Sequence, residues 1–382
     1  MPELLLPLDG GLVRHRIERA CSYRPLLAPL ASRTIYAAAH VAARPSPQTD
    51  AQIDWDATLA FRRYLWSYGL GVAEAMDTAQ RGMGLNWEGA RELIRRSLKE
   101  AQACDGLIAC GAGTDQIADN RTVQLEDVIE AYLEQCDWVE RHGGRVVLMA
   151  SRALVRTATS PDDYYTVYAR ILSQLRHPAI LHWLGDMFDP QLAGYWGTHD
   201  VDRAMETFVC LVRDHAARLD GVKISLLDDQ REIEMRRRLP AGQRVYTGDD
   251  FHYDALIRGD GSHYSHALLG IFDAIAPAAS AAVQALDRND LDEYDRILGP
   301  TLPLGRHIFE LPTYLYKAGL AFLAYLNGHQ EHFRLLGGLE SARGIEHLSK
   351  LLVLAEQAGV LLDPDLACQR MQVVLEAAGI VQ

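Results

Sequence analysis

Between residues 33 and 264, short apolar runs alternate with longer stretches whose apolar residues recur at helical spacing. RTIYAAAHVA (33–42), GVAEAMD (71–77), DGLIACGAG (105–113), RVVLMAS (145–151), PAILHWLG (178–185), LDGVKIS (219–225) and QRVYTGDD (243–250) read as strands, and a brief run near 255–264 completes about eight. The intervening helices span 53–69, 86–104 (opened by Asn86), 123–144, 160–176, 201–219 and 228–239. Strand–helix units with compact connections imply a parallel sheet, and eight of them over this length fit a (β/α)8 TIM barrel. The expected organisation is an irregular N-terminal arm (1–29), an α/β barrel (30–265) and a C-terminal helical extension (266–382). A doubly wound open sheet would usually show fewer strands and often a glycine-rich phosphate turn after the first. YAAAHVAARP has no such turn.

Composition narrows the function classes. A net charge of −13 argues against non-specific binding of nucleic acid. REIEMRRR (231–238) reads as a solvated helix face. No apolar run reaches the roughly 18 residues of a membrane span, and the acidic start MPELLLPLDGG lacks a basic leader. Six cysteines without a CxxC spacing read as free thiols in a reducing cytoplasm, with neither a zinc site nor a disulfide framework. The expectation is a cytoplasmic enzyme.

Lysine is scarce: four residues (Lys99, Lys223, Lys317, Lys350) against 34 arginines. Lys223 nevertheless sits inside LDGVKIS. On a pleated strand Val222 and Ile224 point one way and Lys223 the other, into the barrel near its mouth. Burial there would lower its pKa, and a neutral amine can attack a carbonyl to form a Schiff base. The structural alternative is a lysine paired with Asp228 or Asp229, or one reaching water at a strand end.

LDGVKIS resembles the Schiff-base strand of the dihydrodipicolinate synthase / N-acetylneuraminate lyase superfamily. TGDD (Thr247–Asp250, including Gly248) is similar to that family's seventh-strand segment, CGAGT (Cys110–Thr114) to its third-strand turn, and residues 53–69 to its first barrel helix. The order is collinear over most of residues 33–355, and the chain further resembles a dihydrodipicolinate-synthase-like bacterial branch without an assigned reaction. The resemblance implies Lys223 as nucleophile, a small-molecule carbonyl substrate, no cofactor, and a homodimer or homotetramer. Two departures stand against pyruvate as substrate and against dihydrodipicolinate synthase itself. The paired threonines of the second-strand turn become Thr78 and Ala79, and the proton-shuttling tyrosine of the fifth strand becomes His182.

Further site candidates follow from position. His182 suits either acid–base work or a core hydrogen bond, with Asp186 able to orient it if the loop folds back. Arg152 could clamp a carboxylate or phosphate, or serve as an ion-pair partner. Glu74 and Asp77 could bind hydroxyls of a sugar-derived keto or aldehyde substrate, and Ser225, Gly248, Asp249 and Asp250 would shape the pocket. The leading reading is a class I lyase or aldolase. One rival is a metal-dependent barrel aldolase, isomerase or hydrolase using the carboxylates and imidazoles of DDFHYDALIRGDGSHYSH (249–266). The other is a non-catalytic barrel that binds a metabolite. The apolar stretch AGLAFLAYL (318–326) implies buried contacts, within the chain or between subunits.

Overall fold

The computed structural model describes residues 3–26, 29–47 and 51–382. Its strands, in chain order, are β1 (Glu3–Leu8), β2 (Gly11–Arg16), β3 (Ile35–Ala38), β4 (Ala43–Pro45), β5 (Ala51–Ile53), β6 (Gly71–Glu74), β7 (Ile108–Ala112), β8 (Arg145–Leu148), β9 (Ala179–Leu184), β10 (Leu219–Ser225), β11 (Arg244–Thr247) and β12 (His266–Leu269). Eight of these, β3 and β6 to β12, close a parallel barrel in sequence order, with β12 paired back onto β3. The fold is the expected (β/α)8 barrel followed by helices.

Local chemistry sets the element limits. Asn86 caps the helix Trp87–Cys104 by accepting from the Gly89 amide, and Ser160 and Asp163 form a reciprocal capping box at Pro161–Gln174. Alternation then sorts the faces. Tyr36, Ala38, Ala73, Ala109, Val147, Ile180, Tyr246 and Leu268 gather in one buried cluster that fills the barrel. Their sequence neighbours, such as Val72, Leu181 and Val245, join the larger core between barrel and helices.

Three expectations need correction. The eighth strand is His266–Leu269, just beyond the expected boundary at 265, while residues 255–264 carry the end of the helix Tyr253–Arg258 and a turn. HALL runs straight into the apolar helix Ile271–Asp287, so periodicity could not separate them. The N-terminal arm is not irregular throughout: β1 and β2 pair antiparallel. Glu356, on the helix Ile345–Gln357, accepts from the Glu18 and Arg19 amides just after this hairpin; residues 1, 2, 27 and 28 of the arm lie outside the described residues. Finally, the helix Tyr316–Leu326 is buried along its whole length within this one chain. Its apolar surface is therefore satisfied without a second subunit.

Candidate active site

Lys223 faces into the barrel toward the C-terminal end of β10, in register with His182 of β9 and Tyr246 of β11. It is 7% exposed. No hydrogen bond or ion pair ties its nitrogen among the described residues. Burial pulls its pKa down to about 8, opposed by the carboxylates of Asp250 and Asp77. Gly248 makes room for it. A Cβ at that position would lie 2.8 Å from Lys223 Cε and closer still to Ser225 Oγ, so any side chain there would displace the amine.

The residues around the amine divide by what already holds them. His182 Nε2 lies 3.0 Å from Ser225 Oγ, while its Nδ1 is buried without a partner among the described residues. Asp186 is exposed and does not orient it. Burial, then the charge of Lys223, pushes His182 well below the ordinary histidine pKa, so the ring is neutral. Asp250 accepts from the Ile271 amide at the start of the helix Ile271–Asp287, 2.8 Å away. Burial raises its pKa to about 7, with the Lys223 charge opposing that rise. Its neighbour Asp249 turns away to bind the Phe251 and His252 amides and the His252 ring, and so serves to hold the seventh loop.

The turn after β6 brings a group that sequence reasoning missed. Tyr316, from the C-terminal extension, donates its hydroxyl to Asp77 Oδ2 at 2.8 Å and stands 2.8 Å from Thr78 Oγ1. Lys317 pairs with the same Asp77 oxygen at 3.0 Å and is 2% exposed. The Tyr316 ring stacks on Phe309 with centroids 4.4 Å apart, and burial and the Asp77 carboxylate keep its phenol protonated. Lysine scarcity, which drew attention to Lys223, applies equally to Lys317 in its apolar helix. That was the available signal.

Beside this turn a cavity of about 290 Å³ opens, lined by Asp77, Arg81, Thr114, Met149, Arg152 and Leu184 among others. Lys223 does not line it; Asp77 lies on its wall and also acts on the Lys223 charge. Arg152 is one-quarter exposed and held by Asp189 at 2.6 Å, with Asp119 at 3.7 Å. Arg81 is fixed by Asp115 and by the carbonyl of Ala75.

Two expectations fail on geometry. Glu74 does not face the mouth. As an outward residue of β6 it forms a fully buried, bidentate ion pair with Arg62 of the helix Trp55–Ser67. The carboxylates and imidazoles of 249–266 do not converge either. Asp249 and His252 sit beyond the end of β11, whereas His266 opens β12 and accepts from the Thr34 amide just before β3, at the opposite end of the barrel. Parallel strands carry residues before and after a strand to opposite ends.

The sequence matches the model of a family described as "Protein of unknown function (DUF993)" over residues 4–380. No curated protein matches it. Among solved structures, the dihydrodipicolinate synthase of Thermotoga maritima superposes with a TM-score of 0.66 at 14% identity, covering 86% of this chain and 99% of that one. The Aquifex aeolicus enzyme gives 0.65 at 14% identity over 87% and 99%. YagE of E. coli K12, a dihydrodipicolinic acid synthase family protein solved with pyruvate, gives 0.67 at 13% identity over 86% and 99%. The chain belongs to the family described as protein of unknown function (DUF993), built on the fold of the dihydrodipicolinate synthases.

Proposed function

We propose that this protein is a class I lyase or aldolase in which Lys223 forms a Schiff base with a small keto or aldehyde substrate. The observation that carries this reading is a buried amine inside the barrel mouth, without an ion pair among the described residues and lowered by burial to about 8. The neutral amine adds to the carbonyl carbon, and loss of water from the carbinolamine leaves an iminium that withdraws electrons from the adjacent C–C or C–O bond. Asp250, raised to about 7, suits the proton transfers at neutral pH. His182 stays neutral and so takes part as a hydrogen-bonding group beside the amine rather than as a standing acid.

Tyr316 supplies a phenol at the mouth although β9 carries His182 where the resembled family has tyrosine. We assign proton donation to it, with Asp77 and Thr78 holding the hydroxyl. The interleaved Arg and Asp side chains of the cavity suit a polyhydroxylated, acid-bearing substrate, and its volume is at the small end for ligand pockets. Arg152 would meet the acid group there. Gly248 and Ser225 complete the socket of the amine. A homodimer or homotetramer and a cytoplasmic setting, where six free thiols persist, belong to the same proposal; no helix among the described residues is long and apolar enough to cross a membrane.

The test is reductive trapping. The protein is incubated with pyruvate, 2-oxo sugar acids, keto sugars or simple aldehydes, reduced with borohydride and read by intact mass and peptide mapping. A reduced adduct on Lys223 with one compound class, absent in Lys223→Arg, is expected. Turnover of a substrate by Lys223→Ala at the wild-type rate would sink the proposal.

A further inference from the structure

Outside the barrel, among the described residues, one trio of metal-ligating side chains converges: His307, Glu310 and His347, with one ligand atom from each within 4.8 Å of the others. His307 ends the helix Leu302–Ile308, Glu310 follows it, and His347 lies in the first turn of the helix Ile345–Gln357. The two imidazoles stack with centroids 4.0 Å apart and planes inclined by 24°.

Hydrogen bonding fixes the chemistry of the trio. His307 Nε2 lies 2.9 Å from the His347 carbonyl oxygen, which can only accept, so Nε2 carries the proton. That leaves Nδ1 as the ring nitrogen turned to the carboxylate, 3.3 Å from Glu310 Oε2. The other carboxylate oxygen, Oε1, is 2.9 Å from His347 Nδ1, whose partner nitrogen Nε2 is buried with nothing to bond. The Arg343 guanidinium lies 3.9 Å from Glu310. A divalent ion at the centre of the trio would take one ligand atom from each imidazole and one from the carboxylate.

The spacing fits. Ligands about 2.0–2.1 Å from a tetrahedral zinc lie roughly 3.3 Å from one another, the separation already present between His307 and Glu310. The His347 carbonyl holding His307 Nε2–H is the outer-shell contact that fixes a ligating imidazole. Arg343, bonded to the carbonyls of Glu310, Leu311 and Pro312, anchors the loop that presents the carboxylate. Glu310 is 46% exposed, which leaves a route for the ion and a position for water.

We infer that His307, Glu310 and His347 form a binding site for one zinc-class divalent ion in the C-terminal extension, separate from the barrel mouth. Two nitrogens and one oxygen select borderline ions such as zinc or cobalt over calcium or magnesium. A bound ion would tie the helix Ile345–Gln357 to the segment carrying Phe309, on which Tyr316 stacks.

Chelator-stripped full-length protein titrated with Co²⁺, followed by visible absorption and by metal analysis after dialysis, tests this. One ion per chain is expected, with its absorption bands displaced by Zn²⁺. Both His347→Ala and the conservative Glu310→Gln should weaken binding at least about a hundredfold, since loss of an outer-shell contact alone costs 10–100-fold. Lys223→Ala should bind as the wild type does. Circular dichroism on each variant separates loss of a ligand from loss of fold. No stoichiometric ion in the wild type, or full binding retained by folded Glu310→Gln or His347→Ala, would overturn the site and leave a hydrogen-bonded clamp.

Discussion

Burial pulls Lys223 down to about 8 and pushes Asp250 up to about 7, so both groups change protonation close to neutral pH. The neutral amine grows as pH rises through about 8, and kcat/KM should therefore fall roughly tenfold per pH unit below that point. The Asp250 carboxylate holds the Lys223 pKa up, so Asp250→Asn should move this acid limb to lower pH while keeping an oxygen for the Ile271 amide. A pH–rate profile of both proteins reads this directly; a limb that stays in place would show that Lys223 is not the group titrating. Stability carries the same sign. The unfolded chain keeps the lysine proton up to about 10.5, so from about 8 to 10.5 this residue's contribution to stability rises with pH.

At the scale of elements, the pleat of β6 decides what two adjacent acids do. Glu74 points out of the barrel and fastens it to its first helix through Arg62, both side chains fully buried. Asp77, three residues on and inside a tight turn bounded by Ala75 and Gln80, both with positive φ, returns to the mouth. Glu74→Gln leaves the Arg62 guanidinium buried without its carboxylate and should cost about 3–5 kcal/mol of stability. Urea unfolding would measure that loss. Joint replacement of Arg62 and Glu74 by apolar residues of similar volume should recover most of it. The Lys223 strand was legible in the sequence because alternation sets its facing. The direction of Glu74 was not, because GVAEAMD offers no polar–apolar alternation to follow.

Across the whole molecule, the C-terminal extension completes the site. Tyr316 and Lys317 reach Asp77 from more than 200 residues away along the chain. Tyr316→Phe keeps the ring on Phe309 but removes the hydroxyl held by Asp77 and Thr78. Turnover should drop about 10²–10⁴-fold, the usual worth of a positioned acid or base, while borohydride trapping on Lys223 persists. Equal loss of trapping would mean that the hydroxyl holds the socket's shape and carries no proton.

The sequence by itself determined the barrel, the helices after it and the inward facing of Lys223, because these follow from periodicities that one stretch of chain expresses alone. Only the tertiary structure decided which groups meet that amine, which acid is taken up by Arg62, and which two histidines stack on each other beside a carboxylate. Those meetings depend on the closure of the barrel and on the path of the extension across its mouth, and no local pattern encodes a contact between residues so far apart in the chain.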